Sequence, residues 1–211
     1  MKPRIDLNGA DRVLCIGAHA DDIELGAGGT LLNLVAAKPS LELHWCVLTG
    51  AGTDREKEAR RSAALFAENS INVEVFDFQD TRLPWQGNAV KDVFRDIGRR
   101  LDPDLIFTHH GDDHHQDHRL ISELTWNTWR NHLIFEYEIH KWEGDLGRPN
   151  AYVPLTEEVS YRKAELIFQA YETQHSRRWF RKENFIALMR IRGVECHHDF
   201  AEAFHAKKLI C

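Results

Sequence analysis

Four short apolar runs divide the first half of the chain, and more polar segments with helical spacing separate them. The runs are rich in β-branched and aromatic residues, which is typical of buried strands. These predicted strands cover residues 13–18, 41–49, 73–78 and 105–110. The predicted helices between them cover residues 25–37, 55–68 and 88–101. Such alternation predicts an α/β fold, in which a mostly parallel sheet carries helices on both faces.

The second half of the chain continues the alternation. Three further helices are predicted there, over residues 116–131, 157–172 and 182–192. The apolar run 133–139 resembles the earlier strands, and the glycine- and proline-containing segment 142–150 is a predicted loop. The alternation of strand-like and helix-like segments continues without a break, so we expect a single domain over residues 1–211.

The composition is that of an ordinary soluble protein, with 43% hydrophobic and 28% charged residues. A chain of 211 residues is long enough to bury one substantial core. The net charge of −6 disfavours a nucleic-acid partner. The polar N-terminal segment has no apolar signal core, and no apolar run is long enough for a membrane span.

The cysteines are scattered without C-x-x-C spacing, at Cys15, Cys46, Cys196 and Cys211. Two of them lie in apolar, strand-like runs, which favours core thiols in a reducing compartment. We therefore expect a cytoplasmic protein.

Histidines and carboxylates follow two of the predicted strands. His19, Asp21 and Asp22 come just after the first strand. Five of the 13 histidines lie between His109 and His118, just after the fourth strand. Because ligands of an open parallel sheet bind beyond the carboxyl ends of its strands, we expect both groups to lie at one ligand-binding edge.

The first polar group has two structural explanations. Asp21 or Asp22 would suit the N-cap of the following helix. The glycines at 26–29 suggest a dinucleotide site, but that pattern needs a further glycine at Leu31. Three acidic residues just before these glycines would also repel a pyrophosphate. We expect the glycines to allow close packing of the helix on the sheet, or to free backbone amides for a ligand.

A metal explains the two groups together. Imidazole is a common metal ligand, and one histidine of the second group would join His19 and Asp22. Two histidines, one carboxylate and an open position are typical of catalytic zinc. Non-haem iron oxygenases use a similar set, usually with His-x-Asp in place of His-x-x-Asp. We expect Zn²⁺, with Fe²⁺ or another divalent transition metal as the alternative.

Two motifs carry a family resemblance. The segment A-H-A-D-D-I-E-L-G-A-G-G-T-L, residues 18–31, resembles the A-H-P-D-D-x-E-x-G-x-G-G-T-L signature of LmbE-like (PIG-L) zinc deacetylases. Residues 110–118 match their second signature, H-x-x-D-x-H-x-D-H, at every fixed position. Weaker matches span much of the remaining chain. The resemblance implies a single-domain Rossmann-like fold and removal of N-acetyl groups from N-acetylglucosamine-containing conjugates.

The resemblance also assigns roles to individual residues. It implies three zinc ligands, namely His19, Asp22 and His118. It makes Asp21 the general base and His115 a protonated group that stabilises the oxyanion, with Asp117 orienting His115. Arg55 and Asp80 lie where family members contact substrate. Ala20 replaces the proline of the signature, which removes some stiffness from the turn but no chemistry.

The implied partner is a small acetylated amino sugar. We expect no nucleic-acid partner and no membrane span, and the sequence is compatible with a homo-oligomer. Two other functions compete with deacetylation. The first is a thiol-conjugate amidase or another metal-dependent amide hydrolase on the same scaffold. The second is a metal-binding protein without turnover, which leaves the presence of Asp21 and His115 unexplained.

Other polar and aromatic residues have weaker assignments. His109 and His114 match no fixed motif position, so we expect surface or supporting roles rather than metal ligation. We also expect no metal ligation by three late histidines, His197, His198 and His205, because the proposed ligand set is complete without them. A sugar platform would come from one of five tryptophans, Trp85, Trp126, Trp129, Trp142 and Trp179, although aromatic residues are more often core. A basic patch that would suit a substrate phosphate or carboxylate consists of Arg177, Arg178 and Arg181.

Overall fold

The strands of the computed structural model, which describes residues 5–67 and 71–209, form one mixed sheet. The strands are β1 (Arg12–Gly17), β2 (Glu42–Thr49), β3 (Ile71–Phe78), β4 (Leu105–His109), β5 (Leu133–Tyr137), β6 (Ala151–Leu155) and β7 (Phe200–His205). The α-helices are α1 (Asp22–Ala37), α2 (Asp54–Ala67), α3 (Gly87–Arg100), α4 (Gln116–Thr128), α5 (Glu157–Ala170) and α6 (Lys182–Glu195). The strand order is β3-β2-β1-β4-β5-β7-β6. The α/β class with a mostly parallel sheet is therefore confirmed.

The first five strands are parallel, whereas β7 runs antiparallel to β5 and β6 antiparallel to β7. All the predicted helices and the first five strands are present, although residue 68 of one predicted helix lies outside the described residues. The sequence did not predict β6 and β7. β6 is an edge strand that contains Pro154, a residue usually confined to such edges.

Each face of the sheet is covered by helices, which explains the continuous apolar runs. Side chains alternate across β1, so Val13 and Cys15 enter a core with α1, α2 and α5. Leu14 and Ile16 enter a second core with α3 and α4 on the other face. The thiols of Cys15 and Cys46 are buried and unpaired as expected, while Cys211 lies outside the described residues. Across the described helices, none combines the length and apolar character that crossing a bilayer requires.

The connections place a crevice between the carboxyl ends of β1 and β4. The chain passes from β1 to β2 and β3 on one side, and then returns to β4 on the other side of β1. Parallel sheets bind ligands at such a point of reversal. The loops 18–21 and 110–115 leave β1 and β4 at this point, so the two polar groups of the sequence share one edge.

Glycines let α1 lie close against its neighbours. A Cβ atom on Gly26 would lie 2.3 Å from Cγ of Tyr137, and one on Gly28 would lie 2.8 Å from Phe66. The backbone N–H groups of Gly29 and Thr30 donate to the buried carboxylate of Glu202, both at 2.7 Å. These glycines therefore serve helix packing, which confirms the first of their two expected roles.

We expect Gly26→Ala to lower the melting temperature by about 5 °C. The added methyl overlaps the Tyr137 ring, and overpacking of this kind typically costs about 1–3 kcal/mol. Gly87→Ala is the matched control, because α3 begins there and no heavy atom lies within 4 Å of the added Cβ. Thermal unfolding of both variants checks this. Equal melting temperatures for the two would contradict the close approach of α1 to Tyr137.

Candidate active site

The turn between β1 and α1 directs two adjacent aspartates differently. The backbone N–H of His19 donates to Oδ2 of Asp22 at 2.7 Å, which folds the Asp22 side chain back toward the turn. Asp21 occupies the N-cap position but makes no side-chain cap hydrogen bond. Its Oδ1 instead lies 2.9 Å from Nη2 of Arg55. Helix capping therefore does not account for Asp21.

Three side-chain atoms converge beside Asp21, one from the loop after β1 and two from the first turns of α1 and α4. Nδ1 of His19 lies 3.3 Å from Oδ2 of Asp22 and 3.2 Å from Nε2 of His118. The remaining pair, Oδ2 of Asp22 and Nε2 of His118, is 3.6 Å apart. Ligand atoms about 2.0–2.2 Å from a tetrahedral zinc stand about 3.3–3.6 Å from one another. The three predicted ligands thus fit one small divalent ion.

Carboxylates behind the two histidines fix which ring nitrogen faces the convergence point. Nδ1 of His118 lies 2.9 Å from Oδ2 of Asp113, and Nε2 of His19 lies 3.3 Å from Oδ2 of Asp117. When these nitrogens donate to the carboxylates, Nε2 of His118 and Nδ1 of His19 present lone pairs. Asp113 belongs to the second signature, yet no role was expected for it.

The electrostatics of the site favour a cation. Burial alone would lower the pKa of His19, but the carboxylate of Asp22 and the hydrogen bond to Asp117 raise that pKa well above its usual value. Burial, reinforced by nearby His109, lowers the pKa of His118 to about 3. His118 therefore carries the neutral ring that ligates metals, in a site whose carboxylates attract positive charge.

His109 is buried behind these residues. Its Nε2 accepts the backbone N–H of Ala18 at 3.0 Å and lies 3.1 Å from Oδ2 of Asp22. Its ring stacks on His118 with the centroids 3.8 Å apart. Since that lone pair is already used, His109 supports the convergent atoms rather than joining them. His114 is exposed, as expected for a residue outside the signatures.

The hydrogen bonds of the Asp117 carboxylate lead away from the His115 ring that the resemblance pairs with it. The Asp117 carboxylate accepts the backbone N–H of Leu83 at 3.0 Å and contacts His19, not the His115 ring. The link to His115 runs through the backbone, because Nδ1 of His115 accepts the Asp117 N–H at 3.3 Å as the N-cap of α4. Burial also lowers the pKa of His115, so the neutral ring is favoured over the expected protonated one.

Arg55 reaches the site from the first turn of α2, and Asp80 from the segment that follows β3. Nη1 of Arg55 lies 2.8 Å from Glu58, and its guanidinium covers the ring of Tyr171 at 5.0 Å. Burial raises the pKa of Asp21, and the charge of Arg55 partly opposes that increase. Oδ1 of Asp80 lies 3.0 Å from Nε2 of His19, with the Asp80 side chain 70% exposed. Both residues line the cavity where substrate contacts were expected.

Other groups of side chains in the same region also meet the distance condition for a metal. They are His19 with His115 and His118, Asp22 with His109 and His118, and His19 with Asp80 and Asp117. The second group uses the occupied nitrogen of His109. The third faces Nε2 of His19, the nitrogen that donates to carboxylates. We therefore favour the group formed by His19, Asp22 and His118.

A cavity of about 760 Å³ opens over the convergent atoms. Of the expected aromatic and basic residues, the cavity includes Trp142, Trp179 and Arg177. Trp129 is a buried core residue, whereas Arg181 donates to the backbone carbonyls of its own segment. The expected basic patch therefore contributes one arginine to the cavity wall.

Comparisons with known proteins agree with this geometry. Residues 14–129, more than half of the chain, match the PIG-L family, described as GlcNAc-PI de-N-acetylase. The chain is 34% identical over 125 residues to the uncharacterized deacetylase YaiS of Escherichia coli strain K12, covering 54% of the chain and 65% of that protein. It is 30% identical over 131 residues to diacetylchitobiose deacetylase of Thermococcus kodakarensis, covering 53% of the chain and 46% of that protein. The matches thus span about half to two thirds of these relatives' length.

A solved structure shares the fold. The chain aligns with the N,N'-diacetylchitobiose deacetylase of Pyrococcus horikoshii with a TM-score of 0.72 and 22% identity. That alignment covers 94% of this chain and 84% of the other. Since the family match covers more than half of the sequence, including the site residues from His19 to His118, the chain belongs to the PIG-L (LmbE-like) family.

Proposed function

We propose that this protein is a zinc-dependent hydrolase that removes an N-acetyl group from an N-acetylglucosamine-containing or related amino-sugar conjugate. The observation that supports this proposal is the convergence of His19, Asp22 and His118 beside the buried carboxylate of Asp21. His19, Asp22 and His118 would hold the ion. When bound, zinc supplies Lewis-acid chemistry, since it polarises a carbonyl and lowers the pKa of a water to about 7.

Asp21 is the proposed proton carrier. Its carboxylate takes a proton from the attacking water and passes it to the leaving amine. Burial raises the pKa of Asp21 toward neutral pH. A carboxyl group whose pKa lies closer to the working pH can both accept and return a proton more readily. Arg55 holds Oδ1 of Asp21 at 2.9 Å and so fixes the carboxylate against the cavity.

His115 is the proposed donor to the oxyanion. Its Nδ1 accepts a backbone N–H, so the proton of the neutral ring lies on Nε2. This Nε2–H can donate to the acetyl oxygen as negative charge develops there. The neutral ring needs no protonation step, which replaces the charged form expected from the sequence.

The test is acetate release from N-acetylated sugars by the zinc-loaded protein. We expect turnover, loss of turnover on chelation and recovery with Zn²⁺. His114→Ala is the matched control, because this exposed histidine lies four residues before His118 and outside the proposed ligands. Cleavage of larger amides or thiol conjugates without sugar deacetylation would favour another amidase. Metal binding without turnover of any amide would favour a non-catalytic protein.

We expect Asp113→Asn to weaken zinc binding by about 10–100-fold. The substitution weakens the hydrogen bond that orients His118, and changes to such outer partners typically have this effect. Competition with a chromogenic chelator measures the affinity. Asp112→Asn is the control, since that side chain is 96% exposed. Equal affinities for the two variants would contradict the orienting role of Asp113.

A further inference from the structure

An exposed indole lines the cavity without a role in the proposed chemistry. Trp142 belongs to the segment between β5 and β6, and its side chain is 68% exposed. Trp179, from the segment between α5 and α6, lines the same cavity and is half-buried. A large apolar face that stays open to solvent beside a reaction centre is typical of a surface that contacts a ligand.

The segment that carries Trp142 is anchored to the loop 110–115, which leads into α4 and His118. Nζ of Lys141 lies 3.0 Å from Oδ2 of Asp113 and 2.7 Å from Oδ2 of Asp145. Oδ2 of Asp145 also accepts the backbone N–H of His114 at 2.7 Å. Gly144, with φ of +60°, allows the turn that returns the chain from Trp142 to Asp145.

These anchors fix the backbone on either side of Trp142 relative to the site. Asp113, which holds Lys141, also holds Nδ1 of His118 at 2.9 Å. The indole therefore starts from a backbone fixed to a proposed metal ligand. A side chain on a backbone that is already positioned loses less entropy when a ligand binds.

The charges of the cavity wall bear on what that ligand is. Arg55 pairs with Asp21 and Glu58, and Lys141 pairs with Asp113 and Asp145. Three charged wall residues have no ion pair within the described parts of the chain, namely Asp77, Glu143 and Arg177. Outside the proposed metal site, these two negative charges and one positive charge, together with the exposed carboxylate of Asp80, give an anionic group no net attraction. An uncharged ligand suits this wall better.

We propose that Trp142 forms a subsite for a second, uncharged sugar ring linked to the acetamido sugar. The ring's C–H face packs on the indole, while the acetamido group lies at the convergent atoms. The 760 Å³ cavity is large enough for a ligand of more than one ring. This inference rests on the proposed function and narrows its substrate class to neutral N-acetylated oligosaccharides.

The experiment compares three substrates and three proteins. The substrates are N-acetylglucosamine, its neutral β-linked disaccharide and N-acetylglucosamine 1-phosphate. The proteins are the unchanged enzyme, Trp142→Ala and Trp85→Ala, all zinc-loaded. Trp85 is the matched control, since it is 75% exposed and lies outside the cavity wall. Acetate release gives kcat and KM, and calorimetry gives the disaccharide affinity separately from turnover.

We expect the unchanged enzyme to favour the disaccharide over both single-ring substrates. Trp142→Ala should raise the disaccharide KM about tenfold and leave the monosaccharide KM unchanged. Equal KM changes for both sugars, or none, would overturn the subsite and leave the deacetylase function standing. Disaccharide binding that depends on Trp142 without acetate release would support the subsite and overturn the proposed reaction. Absence of both binding and turnover would overturn both.

Discussion

Asp21→Asn is expected to keep the fold and the metal while lowering kcat by at least about 10². Asparagine preserves the shape of the side chain but cannot accept the proton of the attacking water. The proposed metal ligands, including the adjacent Asp22, are unchanged. Acetate release and metal stoichiometry, measured on the same preparation, check both parts.

The exposed Asp112→Asn is the control for loss of one negative charge near the site, and it should keep full activity. Full activity of metal-loaded Asp21→Asn would rule out Asp21 as the base. Loss of the metal from Asp21→Asn would show that the roles of the two adjacent aspartates are exchanged.

Asp22→Ala is expected to lose the metal first and activity as a consequence. The substitution removes the oxygen that lies 3.3 Å from Nδ1 of His19 and 3.6 Å from Nε2 of His118. Elemental analysis should find well under one ion per chain, against about one for the unchanged protein. Added Zn²⁺ should raise the melting temperature of the unchanged protein but not that of the variant.

A folded Asp22→Ala variant that keeps one ion per chain would refute this ligand set. The ion would then belong to another group of side chains, His19 with His115 and His118 or His19 with Asp80 and Asp117. Circular dichroism separates this outcome from misfolding, which is a real risk because Asp22 also accepts the backbone N–H of His19.

The parallel part of the sheet could be predicted because burial on both faces produces continuous apolar runs. β7 could not, because its sequence is interrupted by Glu202. That carboxylate is buried only because Lys163 lies 2.6 Å away and two amides of α1 donate to it. These partners are 39 or more positions distant in sequence, so local patterning carries no sign of them.

Contacts between residues distant in sequence also limited what could be predicted of the site. His19, Asp22 and His118 lie in fixed motif positions after predicted strands. The anchoring of Asp113 by Lys141 depends on a contact across 28 residues. The direction of the Asp117 carboxylate depends on Leu83, 34 residues earlier. Motif spacing identifies such residues but does not specify their partners.

Lys141 joins the part of the chain that carries the proposed chemistry to the part that carries the proposed recognition surface. The proposed chemical groups all lie between His19 and His118, inside the family match, whereas Trp142, Arg177 and Trp179 lie beyond it. Replacement of the later segments can alter recognition while the chemistry is inherited intact, provided that the ammonium of Lys141 still reaches Asp113. Relatives with one reaction and many substrates are the expected evolutionary product of such a division.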